Sequence, residues 1–318
     1  MRIDSIISRW FFHPLGRAFK TDFCGRIPIL MYHGVREGVS AAHPYYETNI
    51  SPSVFAQHMK YLRDTGYQAM DIDEAIRGVQ QGHACHKGIV ITFDDGYRDV
   101  YTKAYPILKE CGFTATTFLP TGFISDRRAN SQNEDFMTWS EVRELVSHGF
   151  RFGSHTVTHP QLKGLALRTI DFEVGRSKQE IEDKIGIPVK SFAYPFAFPQ
   201  SDKTFRQSLR QLLEKHGYQN GVCTVIGTAG SQDDQFFLPR LPVNSYDGLD
   251  LFRAKLEGGY DWLRVPQYAR DLVKRLNPHH SHRVKQLESV GDQSIGLNGP
   301  NCPREVSGNE SEKQKAVE

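Results

Sequence analysis

The pattern of apolar and polar positions along the chain predicts an alternation of helices and strands. Five stretches with the spacing of an amphipathic helix end in a glycine followed directly by an apolar residue: Gly66-Tyr67, Gly112-Phe113, Gly149-Phe150, Gly186-Ile187 and Gly217-Tyr218. A glycine in this position is typical of the residue that follows the last turn of a helix. Four of the five soon lead into apolar runs, at residues 113–118, 150–152, 189–192 and 222–225, which predict strands.

The strand predicted at residues 89–93 ends in two adjacent carboxylates, Asp94 and Asp95. Its apolar residues are typical of a strand buried on both faces of a parallel sheet, and Gly96 allows the chain to turn sharply after it. Two like charges at such a position raise each other's electrostatic cost unless they share a cation or a proton. The alternative is a strand-end turn that caps the next helix, which Asp-Gly often forms.

Two histidines follow the short strand signalled by Phe150 and Phe152. His155 and His159 are four residues apart, so one helical or tight-turn step can aim both imidazoles at a single ion. Imidazole suits zinc and its first-row neighbours, and one added carboxylate leaves coordination positions open for water and substrate. Such a pair alone is more often solvated or held in a core, but its combination with the paired aspartates favours a metal site.

These segments together predict an α/β fold. Thr138 followed three residues later by Glu141 is typical of a capping box, and Phe55, Met59 and Leu62 lie on one face of a predicted helix. Strands that alternate with helices and end in polar residues predict a barrel-like parallel sheet with the site at its top face.

In these residues the sequence resembles the polysaccharide deacetylase family, the NodB-homology or carbohydrate esterase 4 group. Its first motif, Thr-Phe-Asp-Asp-Gly, stands at residues 92–96, and its second, with two histidines before a proline, at 155–160. A third, Arg-x-Pro-Tyr-Gly, aligns with residues 193–197, where Ala193 and Ala197 replace the arginine and the glycine. Segments 29–34, 51–67 and 139–149 resemble the branch that acts on exopolysaccharide amino sugars, and the resemblance covers roughly residues 28–262.

The resemblance implies a distorted, incomplete (β/α) barrel of the NodB-homology type. It also implies a divalent metal ion, zinc first with cobalt or nickel as alternatives, held by Asp95, His155 and His159. Asp94 is then expected to act as general base towards the attacking water.

The third motif supplies the remaining residues that the resemblance implies. The backbone N–H of Phe196 is expected to hold the oxyanion of the tetrahedral intermediate, a role that needs no particular side chain. Tyr194 and Pro195 are expected to bind the substrate.

Two further residues are candidates for family positions that this sequence leaves open. Arg240, near a predicted late strand, is expected to replace the missing arginine beside Asp94; the alternative is a surface arginine on a proline-limited edge. No histidine appears between Val243 and His279, but His33 follows the first predicted strand. First and last strands are neighbours in a closed cylinder, so His33 is expected to protonate the leaving amine, with a structural core histidine as the alternative.

Composition and charge limit which binding partners and which cellular compartment are expected. The 318 residues are 39% hydrophobic, enough for one large core. The net charge of +2 and the lack of a basic stripe give no sign of a nucleic-acid partner. The five cysteines are scattered and odd in number, which favours a reducing compartment and a cytoplasmic location.

The chain divides into four predicted segments. Residues 28–262 form the deacetylase domain, 263–276 a short helical extension, and 277–318 a polar, disordered tail. In the N-terminal extension, residues 1–27, a helical face is shared by Ile3, Ile6, Ile7, Trp10 and Phe11. Peripheral contact with the inner face of a membrane is one interpretation of this face, and packing on the domain is the other.

The expected function is removal of N-acetyl groups from amino-sugar glycans in exopolysaccharide or envelope-glycan biosynthesis. Carbohydrate is then the substrate, and glycan-synthesis machinery is a candidate partner. One alternative is O-acetyl ester or other small-amide hydrolysis on the same fold. Another is a non-catalytic carbohydrate-binding protein, which Ala193 and Ala197 favour and the intact aspartate and histidine pairs oppose.

Overall fold

A computed structural model describes residues 3–14, 25–38, 44–45, 47–81, 87–126 and 135–276 of the chain. The strands in these residues are β1 (Arg26–Ile27), β2 (Ile29–Tyr32), β3 (Gln68–Ala69), β4 (Gly88–Phe93), β5 (Thr116–Leu119), β6 (Arg151–Ser154), β7 (Ser191–Ala193), β8 (Asn220–Ile226), β9 (Ala229–Gly230) and β10 (Leu238–Pro242). The predicted disordered tail at 277–318 lies outside the described residues.

Seven parallel strands close into a barrel. Their order is β2, β10, β8, β7, β6, β5 and β4, and the ring closes because β4 also pairs with β2. The predicted α/β barrel is confirmed, and it is incomplete in having one strand fewer than a full (β/α)8 barrel. Outside the ring, β3 pairs with β4, and β1 and β9 form an antiparallel pair.

Helices surround the barrel and follow most of its strands. They are α1 (Ile3–Ile7), continued by the π-helical turn Ser8–Phe12, α2 (Pro52–Asp64), α3 (Ile72–Gln80), α4 (Tyr105–Cys111), preceded by the π-helical turn Val100–Ala104, α5 (Trp139–Ser147), α6 (Leu167–Ile185), α7 (Lys203–Lys215), α8 (Leu249–Leu256) and α9 (Arg264–Leu276). Short 3₁₀ turns occur at Thr121–Phe123 and Asp261–Leu263. None of the helices in the described residues combines the length and the apolar character needed to span a membrane.

The predicted glycine signals mark helix ends in the structure. All five glycines have a positive φ, and at four of them the N–H of the next residue bonds back to the helix, in the pairs Tyr67–Leu62, Phe113–Leu108, Phe150–Leu145 and Tyr218–Leu213. This bond belongs to a helix-ending motif that pulls the apolar residue into the core. Phe113 therefore closes α4, and β5 begins at Thr116 rather than at residue 113 as predicted.

Alternation along the barrel strands decides which side chains face the interior. In β4, Ile91 and Phe93 pack in the cluster beneath the helices, whereas Val90 belongs to a separate cluster with inward residues of other strands. Successive strand side chains point to opposite faces, so Thr92 and Asp94 share the inward side with Val90. The same alternation directs Arg240 of β10 inward.

Candidate active site

The predicted site residues come together where the barrel strands end. Asp94 and Asp95 follow β4, and His155 follows β6. His33 follows β2, and the pairing of Tyr32 with Phe93 places it beside Asp94. Carboxyl ends of parallel strands meet at one face of a barrel, which is the face where such folds carry their chemistry.

Asp95, His155 and His159 form a cluster of possible metal ligands. Oδ1 of Asp95 lies 3.6 Å from Nε2 of His155 and 3.4 Å from Nε2 of His159, and the two Nε2 atoms are 3.1 Å apart. Ligands about 2.0–2.2 Å from one ion at tetrahedral angles lie roughly 3.3–3.6 Å apart, close to these spacings. The nitrogen and oxygen donors suit zinc or a neighbouring first-row ion, so the three residues fit the implied divalent metal.

The backbone at this cluster is unusual. Asp95 has φ of 70° and His159 has φ of 54°, and both values fall in the left-handed region. Residues other than glycine adopt it at some cost, and such strain concentrates at functional sites. The turn after β4 therefore directs the Asp95 side chain towards the two histidines, whereas the Asp94 side chain faces the barrel interior.

Neighbouring groups set the orientation and charge of both imidazoles. Nδ1 of His155 donates a hydrogen bond to the carbonyl oxygen of Ala193 at 2.8 Å, which leaves Nε2 with a lone pair for a metal. Burial, and then the neighbouring His155, lower the pKa of His159 to about 4. His159 is therefore neutral at neutral pH, the form that binds metal ions.

Glu173 of α6 fixes the loop between the two histidines. Its buried carboxylate accepts the N–H groups of Val157 and Thr158 at 2.8 and 2.9 Å and the Thr158 hydroxyl at 2.7 Å. Glu173 was not among the predicted site residues, although an acidic residue in the buried stripe of α6, between Ile170 and Val174, is a signal of such a role.

Replacing Glu173 with Ala is expected to weaken metal binding by a factor of about 10 to 100, as loss of an orienting partner typically does. Two loop N–H groups would lose their acceptor, and His159 would be held less firmly. Metal affinity measured by competition with a chelator tests this. Glu173→Gln keeps an acceptor oxygen and should recover most of the affinity, whereas an unchanged affinity in Glu173→Ala would contradict the positioning role.

Asp94 and Arg240 form a buried, two-pronged ion pair. Nη1 and Nη2 of Arg240 each lie 2.7 Å from one carboxylate oxygen of Asp94. Arg240 has no exposed surface, and it also donates to the carbonyl oxygen of Cys223 at 3.1 Å and the hydroxyl of Thr92 at 3.2 Å. Burial by itself raises the pKa of Asp94, but Arg240 and two nearby histidines hold that pKa well below its usual value. Asp94 is therefore a carboxylate at neutral pH.

His33 also lies near the Asp94 carboxylate. Its Nε2 is 4.0 Å from Oδ2 of Asp94, and its side chain is partly exposed to the opening. β2, which ends just before His33, pairs with β10 on one side and with β4 on the other. The first barrel strand thus lies between the last strand, β10, and β4, the strand that Asp94 and Asp95 follow.

The three candidate site residues in the third motif differ in their exposure to solvent. Phe196 has φ of 58°, its side chain is exposed, and its ring centroid lies 4.6 Å from that of His159. No described residue accepts a hydrogen bond from its N–H. Tyr194 and Pro195 are buried, with the Tyr194 ring against Phe198. Both side chains are therefore covered in this structure, and their role in substrate binding stays a prediction.

Comparisons with known proteins identify the family of this chain. The sequence profile of the polysaccharide deacetylase family matches residues 81–221. YxkH of Bacillus subtilis (strain 168), a protein named as a polysaccharide deacetylase, is 32% identical over 239 residues, which cover 75% of this chain and 78% of YxkH. A poly-β-1,6-N-acetyl-D-glucosamine N-deacetylase of Staphylococcus aureus is 23% identical over 68% of this chain and 78% of its own length.

Solved structures share the fold. The deacetylase PplD of Streptococcus pyogenes, in complex with acetate, superimposes with a TM-score of 0.63 at 24% identity and covers 73% of this chain and 98% of its own. IcaB of Ammonifex degensii gives a TM-score of 0.57 at 23% identity, over 77% of this chain and 97% of its own. With the match to YxkH and the family profile, these findings show that the chain belongs to the polysaccharide deacetylase family.

Proposed function

We propose that this chain is a metal-dependent deacetylase that removes N-acetyl groups from amino-sugar glycans in exopolysaccharide or envelope-glycan biosynthesis. The observation that carries the proposal is the buried Asp94–Arg240 pair beside the ligand cluster of Asp95, His155 and His159. It combines a base that is ionised at neutral pH with a place for a cation. The similarity to a poly-β-1,6-N-acetyl-D-glucosamine N-deacetylase supports an N-acetylated amino sugar as the substrate.

Each residue has a role that its surroundings allow. A bound divalent ion would polarise the acetyl carbonyl and acidify a water molecule. Asp94 accepts the proton of that water, because a carboxylate has about four acceptor positions and Arg240 occupies two of them. The N–H of Phe196 donates to the oxyanion of the tetrahedral intermediate, since no described residue accepts it. His33, whose Nε2 lies 4.0 Å from Asp94, delivers a proton to the departing amine.

Replacing His33 with Ala should separate two kinds of substrate. Expelling an unprotonated amine is hard, so kcat on acetamides should fall by a factor of about 10² or more. An aryl acetate has a better leaving group and should be largely spared. Bound metal should stay near normal because His33 lies outside the ligand cluster. Equal losses on both substrates would instead indicate a packing role, and unchanged acetamide turnover would exclude His33 as the acid.

His155→Ala and His159→Ala should each lose most of the bound metal while the fold is retained. Both histidines lie after β6, on a loop above a core that does not depend on them. Metal content after gentle chelation, measured with a thermal melt, tests this expectation. His216→Ala, which removes a histidine paired with Asp171 on the surface, is the matched control and should keep its metal. Full occupancy in both site variants would remove them from the metal site.

The same ion and base could also cleave an acetate ester, so the type of bond needs its own test. We expect metal-loaded protein to release acetate and free amine in equal amounts from N-acetylated oligosaccharides. Release of acetate without amine, from O-acetylated oligosaccharides alone, would support the esterase alternative. Binding of oligosaccharides without release of acetate would support a carbohydrate-binding protein. A cytoplasmic location and contact with glycan-synthesis machinery stay predictions.

A further inference from the structure

The N-terminal helical segment docks on the domain through its polar side chains. Buried polar residues and their partners are Asp4 with the Tyr260 hydroxyl, Ser8 with Nε1 of Trp262 at 3.0 Å, and His13 with Glu257 at 2.7 Å. Four of its large apolar residues are exposed, Ile3, Ile6, Trp10 and Phe11, whereas Ile7 and Phe12 are half-buried. A helix at a protein surface normally buries its apolar stripe, so this arrangement is reversed. Neither alternative drawn from the sequence for this segment included a docked polar face.

The helix α9 shows the same reversal. It is held by polar contacts: Arg264 with Asp233 at 2.5 Å, Gln267 with the N–H of Ile226 and the carbonyl oxygen of Thr224 at 2.8 Å each, and Asp271 with the N–H of Ser201 at 2.7 Å. Its exposed apolar residues are Val265, Tyr268, Leu272, Val273 and Leu276. Exposed fractions of 75% for Trp10 and 74% for Leu276 show how little of either side chain the domain covers.

The segments that carry the two exposed stripes are connected to each other through Trp262 and to the active-site loop through Thr224. The ring of Phe12 stacks on Trp262 with centroids 5.3 Å apart, and α9 begins two residues after Trp262. Towards the active site, the side chain of Gln267 in α9 donates to the carbonyl oxygen of Thr224. The Thr224 hydroxyl in turn donates to the carbonyl oxygen of Phe196 at 3.0 Å. We call the nine exposed apolar residues of these two segments the terminal-helix face.

We propose that the terminal-helix face binds the surface of a membrane that contains anionic lipids. Isolated apolar residues on a surface are ordinary, but two exposed apolar stripes on connected segments, with Trp, Phe and Tyr, are typical of helices that lie in a lipid interface. The charge of α9 indicates which kind of partner covers this face. Arg264 pairs with Asp233, and the other charged residues of the helix, Arg270, Lys274, Arg275 and Asp271, give a net charge of +2 from three basic and one acidic residue. A second copy would set this basic helix against itself, whereas an anionic lipid surface attracts it.

Such binding would hold the opening of the active site next to the membrane, because α9 and the Phe196 loop share Thr224. The loop that carries the exposed Phe196 ring would then face glycan chains presented at that surface. Membrane binding does not depend on the proposed chemistry, so a failure of either proposal leaves the other standing.

Co-sedimentation with vesicles tests the proposal. The full-length protein is mixed with vesicles of phosphatidylcholine alone or of phosphatidylcholine containing phosphatidylglycerol, at low and at high salt. Two variants introduce charge into the face, Trp10→Glu/Phe11→Glu and Val273→Glu/Leu276→Glu. The matched control is Phe172→Glu, an exposed aromatic residue on α6, away from the terminal helices. All the substituted side chains are exposed, so thermal melts should be unchanged.

We expect wild type and Phe172→Glu to sediment with the anionic vesicles and to be released by salt. Each face variant should need at least about tenfold more lipid for half binding, since each loses the burial of large apolar side chains. Activity on short oligosaccharides free in solution should be unchanged in all of them. Failure of the wild type to bind, or face variants that bind like wild type, would overturn the proposal. A dimer in solution that both face variants disrupt would also overturn it, by making a second copy the occupant.

Discussion

Replacing Asp94 with Asn is expected to lower the rate of acetate release by a factor of about 10² to 10⁴, the usual contribution of general base catalysis. The amide cannot accept the proton of the attacking water, although its size and position are nearly those of the carboxylate. Bound metal should stay near normal, because the ligand cluster contains Asp95 and not Asp94. Acetate release and elemental analysis on the same preparation measure both quantities.

The neighbouring residue gives the matched control. Asp95→Asn should weaken metal binding and activity together, since an amide oxygen is a poorer ligand for a cation than a carboxylate. Asp94→Asn also leaves the Arg240 charge without its buried partner, so both variants should be assayed well below their melting temperatures. A loss of less than tenfold in Asp94→Asn would rule out its role as the base.

Replacing Arg240 with Met is expected to lower the free energy of unfolding by about 3 to 5 kcal/mol, as removal of one partner of a buried ion pair does. The Asp94 carboxylate would remain buried without its guanidinium partner, and its pKa would rise. In the wild type that pKa lies below its unfolded value, so the pair stabilises the fold above the usual carboxyl pKa of about 4 and loses this effect as the pH falls. Urea unfolding at neutral and acid pH measures both effects.

A double variant separates stability from catalysis. Asp94→Leu/Arg240→Met replaces the pair with apolar side chains, and it should recover much of the stability lost in Arg240→Met without recovering activity. Arg240→Lys, which keeps the charge but cannot bond both oxygens, should fall between wild type and Arg240→Met. A loss in Arg240→Met of under about 1 kcal/mol, the range of exposed pairs, would show that the pair is not the buried one described here.

Much of the fold could be predicted because its signals are local. The helix-ending glycines carry the αL conformation that few other residues adopt, and the run at 88–93 is apolar on both faces because the strand is buried on both. Closure of the barrel by β2 pairs residues that are far apart in the chain, so no local signal predicts it. It could be inferred only from His33, the histidine that follows the first predicted strand. Strand beginnings were less accurate, as at Phe113, because the helix-ending bond extends past the glycine.

The site was predictable where the residue type itself carries the chemistry. The aspartate and histidine pairs could be found in the sequence because the stability of the fold alone does not account for adjacent like charges and paired imidazoles at strand ends. The direction of a side chain in a loop is set by φ and by packing, which a motif does not encode, and Tyr194 is buried for that reason. Glu173 was missed because it acts on backbone N–H groups 15 and 16 residues earlier in the chain.

The cluster of Asp95, His155 and His159 is expected to hold an ion that this chain needs for amide hydrolysis. Metal-stripped protein should be titrated with zinc while the release of acetate from an N-acetylglucosamine oligomer is followed. Activity should be near zero without metal, rise linearly and level off at one zinc per chain, and the same titration of His155→Ala should stay flat. Acetate release by the stripped protein at the rate of the loaded one would contradict the account.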